Sequence, residues 1–199
     1  MVLEAGGRHG PQDFVNDEWA SFGQISWLDQ RTTSGDWRVS RDFSGLPSWI
    51  VKAVGGSTLH WAGASLRFQP HEWKVKTNYG NIKNTSIMDW PIDHKEMDKW
   101  YTRAENHMGT LGTGGGRERL PGNNNYKVFE AGAKRMGYKN FHTGNMSINS
   151  KPYDGRVACQ QIGFCFQGCK SGAKWSAGYV SIPKGEATGN LECRTTLKL

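Results

Sequence analysis

Between Asn140 and Ser176 the chain shows almost no hydrophobic periodicity, yet this stretch holds three of its four cysteines. They fall within CQQIGFCFQGC as Cys159, Cys165 and Cys169. A segment this long with neither a helical nor a strand pattern has no standard core to order it, so its order is expected to come from the thiols. The Cys-x5-Cys-x3-Cys spacing contains no Cys-x-x-Cys redox pair and no paired zinc knuckles. Three readings stay open on spacing alone: a disulfide with one thiol left over, a zinc site completed by a histidine such as His142, or ligation of some other group. The fourth cysteine, Cys193, sits on the apolar face of a predicted strand and reads as a small core residue.

Composition narrows the architecture. A chain of 199 residues can bury one sizeable core or two small ones. Hydrophobic residues make up only 36%, against 26 glycines and nine tryptophans, which points to loops with aromatic anchors and away from a helical bundle. The net charge of +7 is spread as single Lys and Arg residues without a basic block, so nucleic-acid binding is not expected. There is no apolar run of about 18 residues and no signal segment at the start.

Both ends read as strands. MVLEAG has apolar Val2 and Leu3, then Glu4 and a glycine turn, the pattern of a short buried strand. In GNLECRTTLKL, Leu191, Cys193, Thr195, Leu197 and Leu199 alternate with polar residues, the period of a half-buried strand. A chain that opens and closes inside strands is expected to be an interior fragment of a longer protein. Between the ends, Asp93 with Glu96 forms a capping box. A helix is predicted from there, with Met97, Trp100, Tyr101, Ala104 and Met108 as its inward stripe. A surface loop follows, GTLGTGGGRERLPGNNN. A second helix is predicted over YKVFEAGAKRMG, with Tyr126, Phe129, Ala133 and Met136 inward and Gly137 as its stop. No internal repeat is visible.

The stretch VGGSTLHWAGASLRF, residues 54–68, carries the remaining signal. Gly55 and Gly56 permit close backbone approach, Ser57 and Thr58 supply hydroxyls, and Ala62, Gly63 and Ala64 leave room for a flat ring. VGGSTLHWAG resembles the flavin-contacting motif of the glucose–methanol–choline (GMC) oxidoreductases. The resemblance is to the branch containing the large subunits of gluconate, sorbitol, fructose and FAD-dependent glucose dehydrogenases. DWPIDHKEMDKWYTRAE and IPKGEATGNLECRT resemble later segments of that branch in the same order, and LEAG falls where its ribose-binding Glu lies.

This resemblance implies an α/β fold: part of a Rossmann-like FAD-binding domain, part of an α+β substrate domain and a loop-rich iron–sulfur segment. The implied boundaries are 1–75 for the FAD-binding part without its phosphate loop, 76–180 for the helical part with the cysteines, and 181–199 for the return strand. Glu4 is implied to bind the FAD ribose, and Gly55, Gly56 and Ser57 to lie against the cofactor. Trp61, Ala62 and Gly63 are implied to pass beside the isoalloxazine, although many members have Asn at the position of Trp61. Cys159, Cys165 and Cys169 match the pattern that holds a [3Fe–4S] cluster, with Lys170 and Lys174 offsetting its negative charge. His60 reads as structural, and the family's catalytic His is expected beyond Leu199. The parent is expected to oxidise a sugar, polyol or sugar acid such as gluconate and to pass electrons through the cluster to a cytochrome or quinone. A multihaem cytochrome c subunit, a small accessory subunit and a periplasmic, inner-membrane-associated location follow by the same resemblance. The fragment alone is expected neither to hold FAD tightly nor to turn over alcohols. The alternative is a non-catalytic iron–sulfur or zinc-binding module.

Overall fold

The structure is a computed structural model that describes residues 1–17, 51 and 53–196. Leu197 and Leu199, at the end of the predicted strand, lie outside the described residues. The chain forms two compact units: Met1–Gly63 together with Lys151–Leu199, and Ala64–Ser150. The cysteine segment therefore groups with the two ends of the chain and not with the long helices. The regular elements are helices and a small parallel sheet, compatible with an α/β class.

In the first unit, β1 (Val2–Leu3) pairs in parallel with β2 (Cys193–Arg194). The Val2 amide donates to the Glu192 carbonyl at 2.7 Å, and the Glu4 amide to the Arg194 carbonyl at 2.8 Å. The glycine turn after β1 is held on both sides. Gly6 accepts from the Thr196 amide at 3.0 Å, and Gly7 accepts from the Val54 amide at 2.9 Å. Both predicted terminal strands thus exist and pair with each other. The expectation that Val2 and Leu3 are buried fails: they are 42% and 53% exposed. The sheet that β1 and β2 form is a ribbon of two short strands.

The core of this unit is small, Phe14, Val51, Ala53 and Leu59 with Tyr179 packed against them. Close backbone contact does much of the remaining work. Gly55 (φ +97°) caps a 3-10 turn over Gly56–Leu59, and a Cβ there would stand 2.4 Å from the Gly178 nitrogen. A Cβ on Gly178, within the π-helical turn Ala177–Ser181, would stand 2.3 Å from the Val54 carbonyl oxygen. That turn runs into the short helix Ile182–Ala187, which has a proline in its first turn where no backbone donor is needed.

The second unit is built on three helices: α1 (Val75–Tyr79), α2 (His94–Met108) and α3 (Asn124–Arg135). Asp93 caps α2 by accepting from the Glu96 amide at 2.8 Å, as the sequence predicts, and Gly109 (φ +73°) ends it. The predicted inward stripe of α2 needs correction. Trp100 and Ala104 are exposed, and the buried residue of this helix is Glu105. Arg67 is the cause: its Nε donates to Glu105 Oε1 at 2.7 Å and its Nη2 to Oε2 at 2.6 Å, while Asp98 and Thr102 accept from the same guanidinium. A bidentate pair lets a carboxylate go where an apolar side chain was expected.

α3 ends in a Schellman motif at Gly137, with the Tyr138 amide bonded to the Ala133 carbonyl and the Gly137 amide to Lys134. Of its predicted stripe only Ala133 is buried, whereas Phe129 and Met136 are exposed. The glycine-rich loop between α2 and α3 is tied back by two arginines. Arg117 donates to Thr110 and Glu105 carbonyls, and Arg119 to the Gly112 carbonyl and Asn145 Oδ1. Beneath it runs a buried hydroxyl chain, Ser65 Oγ to Ser147 Oγ at 2.6 Å and Ser147 Oγ to Thr110 Oγ1 at 2.8 Å. The aperiodic stretch from Asn140 onward is therefore ordered by buried polar groups as much as by anything its thiols supply.

Two predictions follow from this packing. Gly55→Ala adds a clash to an unfavourable left-handed backbone, at a cost of about 3–5 kcal/mol, whereas Gly56→Ala, which meets open space, carries only the ~1–2 kcal/mol backbone term. Denaturant unfolding of both variants checks this, and equal losses would refute the contact. Arg67→Met strands a buried carboxylate and should cost about 3–5 kcal/mol, most of it recovered when Glu105→Leu is added. A double-mutant cycle measures that recovery.

Candidate functional site

The three cysteines of interest line one pocket, with Asn16, Gly163 and Lys170 among its other walls. Each thiol is partly buried and none is in a disulfide. Among the described residues, no three Cys, His, Asp or Glu side chains converge as a ready-made metal cage. Backbone donors already address two of the sulfurs. The Gln161 amide lies 3.3 Å from Cys159 Sγ, and the Lys174 amide 3.4 Å from Cys169 Sγ. Burial pushes the Cys165 thiol up, an effect opposed by the positive charge of Lys174.

The loop reaches this geometry through left-handed glycines. Gly168 (φ +110°) lies flat on Phe14, where a Cβ would come within 2.3 Å of the ring. Cys193 sits half-buried in β2 and is not among the residues lining the pocket.

Bonded to the cysteine loop is Lys174, which is 0% exposed. Its Nζ donates to the carbonyls of Leu59 at 3.1 Å, Trp61 at 2.5 Å and Cys165 at 2.6 Å. Three N–H donors meet three carbonyls, so the ammonium is saturated. Burial holds its pKa down at about 8, with Cys165 and Cys169 pulling the other way. Tyr179, whose hydroxyl is pushed up by burial, donates to the Lys174 carbonyl at 2.7 Å. One residue further back, the Ala173 carbonyl accepts from Arg156 Nη1 at 3.1 Å.

The glycine-rich loop lies on the other side of Lys174. Trp61 Nε1 donates to the Trp175 carbonyl at 2.9 Å, and the two indoles meet edge to face. Thr58 Oγ1 accepts from the Ala177 amide at 3.1 Å and lies 3.2 Å from Ser176 Oγ. His60 is only 2% exposed, with Nδ1 2.6 Å from the Phe166 carbonyl oxygen. Burial pushes its pKa below the ordinary value.

The structure therefore brings the Glu4 turn, the Gly55–Gly63 loop and the cysteine loop into one unit. Their roles differ in detail. Gly55 is taken up by packing on Gly178, while Gly56 (φ +53°) faces open space and Ser57 is exposed. The Glu4 carboxylate accepts from the Gly6 amide at 2.7 Å. Trp61 is engaged with Trp175, and Ala62 and Gly63 continue from it. Sequence reasoning saw Lys174 only as a charge near the cysteines and missed Thr58, Trp175, Ser176 and Tyr179 as its frame. No local signal marks the first three, since the bonds Thr58–Ser176 and Trp61–Trp175 span more than a hundred residues of sequence.

The depressed value at Lys174 has a definite pH consequence. Between about pH 8 and 10.5 the unfolded chain binds the lysine proton more tightly than the folded one, so this residue's contribution to stability rises with pH by up to roughly 3 kcal/mol. Cys165, raised on folding, works in the opposite direction as pH climbs past 9. The metal-free Cys165→Ser protein should thus gain stability across this window in chemical denaturation. Adding Lys174→Met should abolish the gain.

No protein-family model matches the chain. It is similar to the fructose dehydrogenase large subunit of Gluconobacter japonicus, 29% identical over 153 residues covering 70% of this chain and 27% of that protein. It is also similar to 6'''-hydroxyparomomycin C oxidase of Streptomyces lividus, 27% identical over 163 residues, 75% of this chain and 29% of that one. Paromamine 6'-oxidase of Streptomyces fradiae is 26% identical over 213 residues, 100% of this chain and 36% of its own length. The chain thus spans about a third or less of these curated relatives. These relatives are GMC-type oxidoreductases, and the chain whose glycine-rich and cysteine loops meet at Lys174 is similar to them.

Proposed function

We propose that this chain is part of an FAD-dependent GMC oxidoreductase that oxidises an alcohol group of a sugar, polyol or sugar acid such as gluconate. Electrons leave through a [3Fe–4S] cluster on Cys159, Cys165 and Cys169 to a cytochrome or quinone. The observation that supports this most is the pocket that all three thiols line, backed by amide donors to sulfur and by a buried ammonium. Three soft thiolates suit iron, and their negative charge is what a buried lysine offsets. The relatives' names, a fructose dehydrogenase and oxidases of paromamine and 6'''-hydroxyparomomycin C, favour a hydroxyl-rich substrate.

Bound FAD would supply two-electron hydride acceptance and the cluster a one-electron relay. The chain's own residues hold and shape. Glu4 would turn its carboxylate from the Gly6 amide to ribose hydroxyls, and Gly56 with Ser57 leaves the open face for the cofactor. Trp61, Ala62 and Gly63 form the wall next to it, fixed through Trp175. The proton-accepting histidine is expected outside these residues. A Rossmann-like FAD-binding domain accords with the parallel pairing of β1 and β2. On the resemblance, the protein works in the periplasm at the inner membrane beside a multihaem cytochrome c subunit and a small accessory subunit. Among the described residues no helix is long and apolar enough to cross a membrane.

In the full-length protein, Cys159→Ser, Cys165→Ser and Cys169→Ser should each lose iron and sulfide and the cluster's paramagnetic signal. Cys193→Ser should keep them and cost on the order of 1 kcal/mol of stability. Flavin reduction by substrate should survive in all four, while reduction of a cytochrome or quinone collapses in the first three. An intact cluster in Cys165→Ser, or stoichiometric zinc in the unmutated protein, would refute the assignment.

A further inference from the structure

We propose that Lys174 is a positioning residue: its buried ammonium locks the Gly55–Gly63 loop to the cysteine loop and sets how readily a group ligated by the three thiols takes up an electron. The second half rests on the cluster reading above; the first does not.

The geometry singles out this one lysine. Its ammonium joins carbonyls of Leu59 and Trp61, which flank His60, to the carbonyl of Cys165. Its own amide addresses Cys169 Sγ at 3.4 Å. One residue thus touches both loops and two of the three cysteines. Lys170, which is nearer the cysteines in sequence, is exposed at the pocket wall. Solvent and salt screen a charge in that position, whereas a charge with no exposed surface acts through protein of much lower dielectric. The ammonium is also fixed in place by three carbonyls, so its field at the thiols does not average over rotamers. A fixed positive charge favours the state with one more electron. The step concerned is the addition of a single electron, drawn from alcohol oxidation, with no bond made or broken.

Acylation of the unmutated full-length protein tests the lock without any variant. Lys174 should react at least a hundredfold more slowly than Lys170, and comparable rates overturn the proposal. In Lys174→Gln, backbone amides of residues 59–63 and 163–169 should lose hydrogen-exchange protection together, at least tenfold. Loss in only one loop, or in neither, refutes the coupling. In iron-loaded protein, redox titration followed by paramagnetic resonance should show the one-electron reduction constant falling tenfold or more in Lys174→Gln, about 59 mV. Lys170→Met should change it less than twofold. Unchanged potential in a loaded, folded Lys174→Gln protein refutes the electrostatic half. Absence of iron from the unmutated protein sinks the cluster reading and with it that half, while the acylation and exchange results still decide the lock.

Discussion

A charged lysine with no exposed surface is the interaction on which the first unit depends. Removing an ammonium from water costs several kcal/mol, and the cost is tolerable only because three carbonyls replace the lost solvent. Those carbonyls come from segments 115 and nine residues away, so the cation is also a cross-link. Bonds along the same seam reinforce it: Trp61 to Trp175, His60 to Phe166, and Thr58 to Ser176 and Ala177. Each pairs a side chain of the glycine-rich loop with a group within or just after the cysteine loop. Within this unit, specificity comes from a row of directional polar contacts laid over a small apolar core.

The second unit solves a similar problem with the opposite sign. There a carboxylate, Glu105, is the buried charge, and Arg67 brings the compensating cation from outside the helix. Arginine suits that task because its planar fork satisfies both carboxylate oxygens at once, while lysine suits carbonyls that converge from several directions. Arg117 and Arg119 extend the same strategy to the loop after α2, tying backbone carbonyls that no regular element pairs. A chain with 26 glycines and modest hydrophobic content needs such ties, since its loops have little apolar surface to bury.

Features decided by near neighbours were legible in the sequence. The Asp93 cap, the stop at Gly137 and the strand character of both ends rest on contacts within a few residues or on simple alternation. What escaped was decided at long range. Glu105 goes inward because Arg67 lies 38 residues earlier, and nothing in the helical stripe of Met97, Trp100 and Tyr101 announces it. The exposure of Phe129 and Met136 shows the converse: amphipathic spacing marks a face, not whether a neighbour covers it. At the site, the cysteine spacing and the double glycine were readable as motifs. The division of labour between Gly55, pressed on Gly178, and Gly56, facing open space, required the partner backbone.

The parallel pairing of Val2 with Cys193 has a consequence for the order of assembly. Residues 64–150 form a unit that is continuous in sequence and inserted between the two parts of the other. During synthesis the whole sequence of that inserted unit is available once Ser150 has emerged. The strand that opens the chain must wait for Cys193 and Arg194, and the glycine-rich loop must wait for Lys174. Until then Val2, Leu3 and the carbonyls of Leu59 and Trp61 have none of their native partners from the second part. The interval between those two moments is when the Leu59 and Trp61 carbonyls lie open to other donors, and it is when a chaperone would have most to do.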